Sequence, residues 1–203
     1  EAESIADLLT FLRDNGARVV NMSWGRARSS YLGNLNACAP EMPEAEKQAL
    51  AQYTVDTIRA VLRSGMMQSP DILFVGAAGN AGKALAEADQ ATRFSLPNFI
   101  LVGAVDQRGA QVDFTNTGRE VTLYANGERV PARLPGGLIS FPSGTSMATP
   151  NVANAAAKML AVNPRLSGAA LRTILEETAD LNATGQRLLH TARAVVEAHR
   201  RIP

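Results

Sequence analysis

The order of elements in this 203-residue chain predicts an α/β fold of three layers, a mainly parallel sheet with helices on both faces. Three observations carry that expectation. Short apolar runs, Ile72-Leu73-Phe74-Val75 and Phe99-Ile100-Leu101-Val102, lack the polar alternation of a strand wetted on one face, so they read as strands buried on both sides. Segments with apolar residues at helical spacing lie between such runs. Glycine, alanine and asparagine close the runs at their carboxyl ends, where open parallel sheets gather ligands.

The elements follow in order. Residues 3–14 place Ile5, Leu8, Leu9 and Leu12 at helical spacing and stop at Asn15-Gly16, a C-cap pair. Residues 18–22 read as a short strand. Residues 26–43, with Gly33, Pro40 and Pro43, read as a polar loop. Residues 44–65 read as a long helix ending at Gly65. Strands are expected at 72–76 and 99–105, with a mixed surface segment at 81–95 between them. A turn at 112–118, an apolar stretch at 121–127 and a loop from Pro131 to Pro142 lead to a buried helix over 146–162. Pro164 and Ser167 set up a further helix with Leu171, Ile174 and Leu175 inward, and a last helix is expected over 188–200. The whole chain, 1–203, reads as one domain.

Gly144-Thr145-Ser146-Met147-Ala148-Thr149-Pro150 carries the chemistry. A serine hydroxyl is a weak nucleophile until a base lies within hydrogen-bond reach. At a helix start the first N–H groups lack partners and the macrodipole is positive, so an oxyanion forming beside Ser146 would meet donors already in place. Gly144 permits a close backbone approach, and Pro150 is expected near the first turn, where a missing N–H costs least. Taken alone, Ser146 reads as an ordinary serine at a helix start. A second segment changes the balance. Ile72-Leu73-Phe74-Val75-Gly76-Ala77-Ala78-Gly79-Asn80 is a buried strand ending in small residues and a carboxamide. Alone, Gly79-Asn80 is a common turn pair.

Together these segments resemble the nucleophile and oxyanion strands of the subtilisin-like serine proteases, the subtilases. The resemblance implies a serine endopeptidase that hydrolyses peptide bonds through an acyl-enzyme on Ser146, with Asn80 donating to the tetrahedral oxyanion. Ala17-Arg18-Val19-Val20-Asn21-Met22-Ser23-Trp24-Gly25 is similar to the family's strand that lines the substrate cleft. Ser23, Trp24 and Gly25 would then form one wall of the P1 pocket and Ala77, Ala78 and Gly79 the other, a roomy slot for a large apolar side chain. Trp24 departs from the smaller aliphatic residue usual there. Phe99–Val105 resembles the family's Val-Gly-Ala strand, and 112–118 its phenylalanine-serine-x-x-glycine turn. At Asn126 the family has proline, at Asn151 histidine, and at Asn154 a glycine where the nucleophile helix packs.

The resemblance runs from about residue 3 to residue 198 and corresponds to the C-terminal part of a subtilase catalytic domain, incomplete on its N-terminal side. In subtilisin the triad runs Asp, His, Ser. The Asp-(Ser/Thr)-Gly and His-Gly-Thr-His motifs that carry the first two are absent from these residues. The histidines, His190 and His199, follow the serine and read as structural, as do Asp113 and Asp180. This chain alone is therefore expected to be inactive. A peptide-binding module without a base, a pseudoprotease, is the alternative; a serine motif in a purely structural domain fits the pairing of Ser146 with Asn80 least.

Composition narrows the partners. Twenty basic and nineteen acidic residues nearly cancel and form no basic face, which argues against nucleic acid. No apolar run is long enough to cross a membrane as a helix. A single cysteine, Cys38, excludes an internal disulfide framework. No cofactor is expected, and no metal, since acidic residues with calcium-loop spacing are missing. The expected partner is a peptide or protein substrate, together with a missing N-terminal part or a second copy that covers an open sheet edge. No signal peptide opens the chain, whose start would be internal in a subtilase; the resemblance alone favours secretion or the periplasm.

Overall fold

The structure, a computed structural model, describes residues 1–25, 27–86 and 92–202. In chain order the first elements are α1 (Ala2–Asp14), β1 (Val19–Met22), α2 (Arg28–Cys38), α3 (Glu44–Met67), β2 (Leu73–Ala77) and β3 (Phe99–Val105). Then come β4 (Leu123–Asn126), β5 (Ala132–Arg133), β6 (Ile139–Ser140) and α4 (Thr145–Val162). The last are α5 (Gly168–Glu177), β7 (Asp180–Leu181), β8 (Arg187–Leu188) and α6 (Thr191–Arg200).

The main sheet has the order β1-β2-β3-β4-β8-β7. β1, β2, β3, β4 and β8 are parallel and β7 closes one edge antiparallel. Side chains alternate across a strand, so each central run divides between two cores. Leu73, Val75, Ile100, Val102, Ala104 and Leu123 pack with α4, α5 and α6. Phe74, Phe99, Leu101, Val105 and Tyr124 pack with α3 and Leu9 of α1. Every residue of β2 and β3 is buried. The three-layer, mainly parallel architecture is the one the apolar runs predicted.

Four local expectations are corrected. Residues 28–38 of the expected polar loop form α2, which has no fully buried side chain; Tyr31, Leu32 and Leu35 are half-buried, the helix packs beside α3, and it ends at the exposed Cys38. α3 does not stop at Gly65 but runs to Met67. A Cβ at Gly65 would strike the Leu9 side chain, so this glycine serves the close crossing of α1 and α3 and not a helix end. The loop from Pro131 to Pro142 contains an antiparallel ribbon of β5 and β6, with Gly136 and Gly137 at its tip at φ of 87° and 86°. The last helix starts at Thr191 because Arg187–Leu188 joins the sheet as β8, after a turn in which the Asn182 carboxamide oxygen accepts from the N–H groups of Thr184 and Gln186. Part of the expected surface segment 81–95, namely 87–91, lies outside the described residues.

Buried polar groups stitch the elements where regular pairing stops. Asn98 is 3% exposed, and its Nδ2 lies within 2.9–3.1 Å of the carbonyls of Met66, Ser69 and Ile72, joining the end of α3 to the start of β2. At the amino ends of the strands, Arg18 donates to the carbonyls of Asp71, Pro164 and Leu166. Glu120 is held below the ordinary carboxylate range by a hydrogen bond from its own backbone and by the Arg93 guanidinium, against a smaller opposing effect of burial.

Two predictions follow from these contacts. Asn98→Ala removes the buried donor shared by the Met66, Ser69 and Ile72 carbonyls, of which the first two keep a backbone N–H partner, and should lower stability by about 1–3 kcal/mol in chemical denaturation. A carboxylate whose pKa falls on folding contributes stability above its unfolded pKa and loses it as pH drops. Glu120→Gln should therefore flatten the stability loss between about pH 5 and 3, measured by thermal melts across that range.

Candidate active site

The start of α4 is fixed from three sides. From below, the Gly144 N–H donates to the Gly127 carbonyl at 2.8 Å. A Cβ at Gly127 would lie 2.7 Å from the Gly144 oxygen and 2.7 Å from the Ala104 Cβ, so only glycine admits this approach. From the end of β2, the Asn80 carboxamide oxygen accepts both the Thr145 N–H and the Thr145 hydroxyl, each at 2.8 Å, and the Gly79 N–H donates to Thr145 Oγ1 at 3.1 Å. A backbone N–H can only donate, so the atom facing Thr145 is Oδ1. Nδ2 of Asn80 is left turned away, with no hydrogen bond to any described residue, and Asn80 is exposed.

From the end of β1 comes Ser23. The Ser146 hydroxyl donates to the Ser23 carbonyl at 3.0 Å, and the Ser23 hydroxyl lies 3.0 Å from the Ser146 carbonyl. That carbonyl is available because Pro150 has no N–H to complete the i→i−4 rung. Pro150 thus stands inside α4, beyond the first turn where it was expected, and its cost is offset by a serine from another element. Asn21 Nδ2 donates to Ser23 Oγ at 2.9 Å, and the Ser23 hydroxyl has the Ser146 carbonyl at 3.0 Å and Asn21 Oδ1 at 3.1 Å as acceptors.

Ser146, Asn80 and Ser23 therefore meet at the carboxyl ends of β1 and β2, neighbouring parallel strands in which Met22 pairs with Gly76. Residues 23–25 and 77–79 leave from those two strand ends. Trp24 is 37% exposed and so does not anchor a core. Ala78 is fully buried on the α3 side and Ala77 nearly so; Gly79 is half-buried.

Neither histidine joins this cluster through a hydrogen bond. His190 caps α6, its Nδ1 accepting from the Arg193 N–H at 3.2 Å, and His199 lies in the last turn of the same helix. Asp180 pairs with Arg193. A carbonyl is the acceptor that the Ser146 hydroxyl has, and a carbonyl cannot take its proton. The three asparagines that depart from the family pattern are accommodated. Asn151 donates to the carbonyls of Asn126 and Met147, at 3.0 and 3.3 Å. Asn154 is exposed and not in the packed face of α4, which corrects the expectation for that position. Sequence reasoning left Thr115 and Asn116 inside a turn, yet both are buried, at 1% and 0% exposure, beneath the loop that carries Asn80. Among the described residues no group of three or more histidine, cysteine, aspartate or glutamate side chains could hold a metal, and no helix is long and apolar enough to cross a membrane.

A nucleophile-type serine at a helix start, with a carboxamide at the adjoining end of a parallel strand, defines a subtilisin-like arrangement on an α/β sheet. Residues 1–195 match the family model for the subtilase family (peptidase S8), and the chain belongs to that family. It is 38% identical to subtilisin E of Bacillus subtilis (strain 168) over 111 residues, 55% of this chain and 29% of that protein. It is 30% identical to subtilisin Savinase of Lederbergia lenta over 158 residues, 78% of this chain and 52% of that one. The chain thus spans from under a third to about half of these relatives. The fold matches the self-cleaved protease domain of PatA with a TM-score of 0.69 at 24% identity, over 98% of this chain and 68% of that one. It matches a cold-adapted subtilisin-like serine proteinase with a TM-score of 0.70 at 23% identity, over 94% and 62%.

Gly127→Ala pushes on the Gly144 carbonyl and should cost about 1–3 kcal/mol by overpacking. Its marker is a shift of the Thr145 and Ser146 amide resonances larger than that at α5.

Proposed function

We propose that this chain is the nucleophile-bearing part of one subtilisin-type catalytic domain, which hydrolyses peptide bonds in peptide or protein substrates. Ser146 attacks the scissile carbonyl and becomes the acyl-enzyme. The tetrahedral oxyanion is met by Asn80 Nδ2 and by the backbone N–H of Ser146, the second residue of α4, which has no carbonyl partner inside the helix. The observation that carries this reading is the clamp on Asn80: Oδ1 is spent on Thr145, so the donor half of the carboxamide is free at the serine. Ser23, Trp24 and Gly25 face Ala77, Ala78 and Gly79 across the substrate cleft, with Ala78 contributing backbone, and a large apolar P1 residue is preferred. By family, the site of action is secreted or periplasmic.

The base must come from outside these residues, and the chain by itself is inert. The Ser146 hydroxyl held on the Ser23 carbonyl is the observation that also favours the second reading, a pseudoprotease that binds peptides without cutting them. The free edge of β1, where Val19 and Val20 are half-buried and Asn21 is exposed, supports association with the rest of a subtilase domain or with a second copy. Leu8 and Phe11, 54% and 60% exposed on α1, are further apolar surface that a partner could cover.

A fluorophosphonate probe tests the assignment. It should label Ser146 barely in this chain and rapidly in a longer protein that supplies the histidine and aspartate. Rapid labelling of the chain alone would refute the missing-base account; no labelling of the longer protein would leave the pseudoprotease. In the active protein Asn80→Ala should lower kcat by about 10² to 10³, a magnitude borrowed from subtilisin itself. Light scattering should show self-association of the chain as concentration rises.

A further inference from the structure

After β2 ends, the chain must present Asn80 from a segment without ladder partners of its own. Residues 78–83 have inward-facing backbone groups that need hydrogen bonds. Asn116 supplies most of them. Its Nδ2 donates to the Ala78 carbonyl at 2.9 Å, and its backbone N–H donates to the Gly79 carbonyl at 2.9 Å. Its Oδ1 accepts the N–H groups of Ala81 at 3.1 Å and Lys83 at 3.2 Å. Asn80 thus sits between two residue pairs that are all tied to one side chain or its backbone. Two partners on the oxygen and one on the nitrogen leave the carboxamide a single orientation. Asn116 is wholly buried, so water cannot replace these contacts.

Asn116 is itself held. Thr115 Oγ1 accepts from the Ala104 N–H of β3 at 3.0 Å, and the Gly82 N–H donates to the Phe114 carbonyl at 2.8 Å. Gly82 has φ of 62°, and a Cβ there would lie 2.7 Å from the Asp113 carbonyl, so the loop is laid flat on 113–116. A continuous path of hydrogen bonds leads from β3 through Thr115 and Asn116 to the loop, and through Asn80 to Thr145 beside Ser146.

We infer that Asn116 is a positioning residue for the oxyanion donor: its buried carboxamide holds residues 78–83 so that Asn80 clamps Thr145 and keeps Nδ2 free at Ser146. The inference deepens the protease reading and rests on it for the role of Asn80, but the loop geometry can be tested on this chain without catalysis.

The experiment is NMR on the ¹⁵N-labelled chain and on Asn116→Ala, Asn116→Asp and Asn80→Ala. In Asn116→Ala, amide protection at Ala81 and Lys83 should fall about 10- to 100-fold while amides in β3 and α5 stay protected. The Thr145 amide, which donates to the Asn80 oxygen, should lose protection as that clamp loosens. Asn116→Asp keeps the oxygen that accepts from Ala81 and Lys83 and sets a second oxygen against the Ala78 carbonyl in place of the donor, so it should retain protection at Ala81 and Lys83 better than Asn116→Ala does. It also serves if the alanine variant does not fold. Asn80→Ala should leave Ala81 and Lys83 protected. Unchanged protection in Asn116→Ala, or a loss shared equally by α5, would overturn the inference. A peptide ending in phenylalanine amide, added to the wild-type chain, tests the other claim separately. Shifts at Ser23 and Gly79 support the cleft, while their absence removes the peptide reading and leaves the exchange result to decide Asn116.

Discussion

One side chain joins the two halves of the candidate site. The Asn80 oxygen accepts both donors of Thr145, and so fastens the carboxyl end of β2 to the start of α4. Asn80 stands just past the end of a strand buried throughout, and Thr145 opens a helix whose inner face is packed. Neither end could hold the geometry alone. The strand would end in a free loop, and the helix would begin with unpaired N–H groups. The clamp also has a polarity: spending the carboxamide oxygen inside the protein is what aims its nitrogen outward.

Around this clamp, small residues let backbones come together. Gly127 admits the Gly144 strand-to-helix turn against β3, and the alanines of α4 lie flat on the sheet. Pro150 removes a rung from α4, and the Ser23 hydroxyl fills the gap. Asn126 and Asn151 both depart from the family pattern and bond to each other's neighbourhood, the side chain of one on the carbonyl of the other.

The sequence made the fold legible where physics leaves a strong local trace. Leu73 to Ala77 and Phe99 to Val105 are apolar without alternation because both of their faces are covered, and that pattern has few other readings. The start of α4 was legible because a glycine followed by a serine has a positional meaning at a helix start, whereas Pro150 stands deeper in the helix than its usual place. α2 was not legible, because its apolar residues, Tyr31, Leu32 and Leu35, are few, only half-buried and set among polar ones. β7 and β8 are too short to carry a period, and the ribbon of β5 and β6 is held by its glycine tip. Gly65 misled because a glycine that ends a helix and one that permits a crossing look alike in one dimension. Asn116 was hidden for a different reason. Its worth lies in four partners 33 to 38 residues away, and nothing nearby in the chain announces them.

α2 has one more property of practical use. Its terminal residue, Cys38, is the single thiol of the molecule and is open to solvent, on a helix without a fully buried side chain. A fluorophore or spin label attached there would sit on a surface appendage. It would report tumbling, pairing and distance to a bound partner while leaving the interior undisturbed.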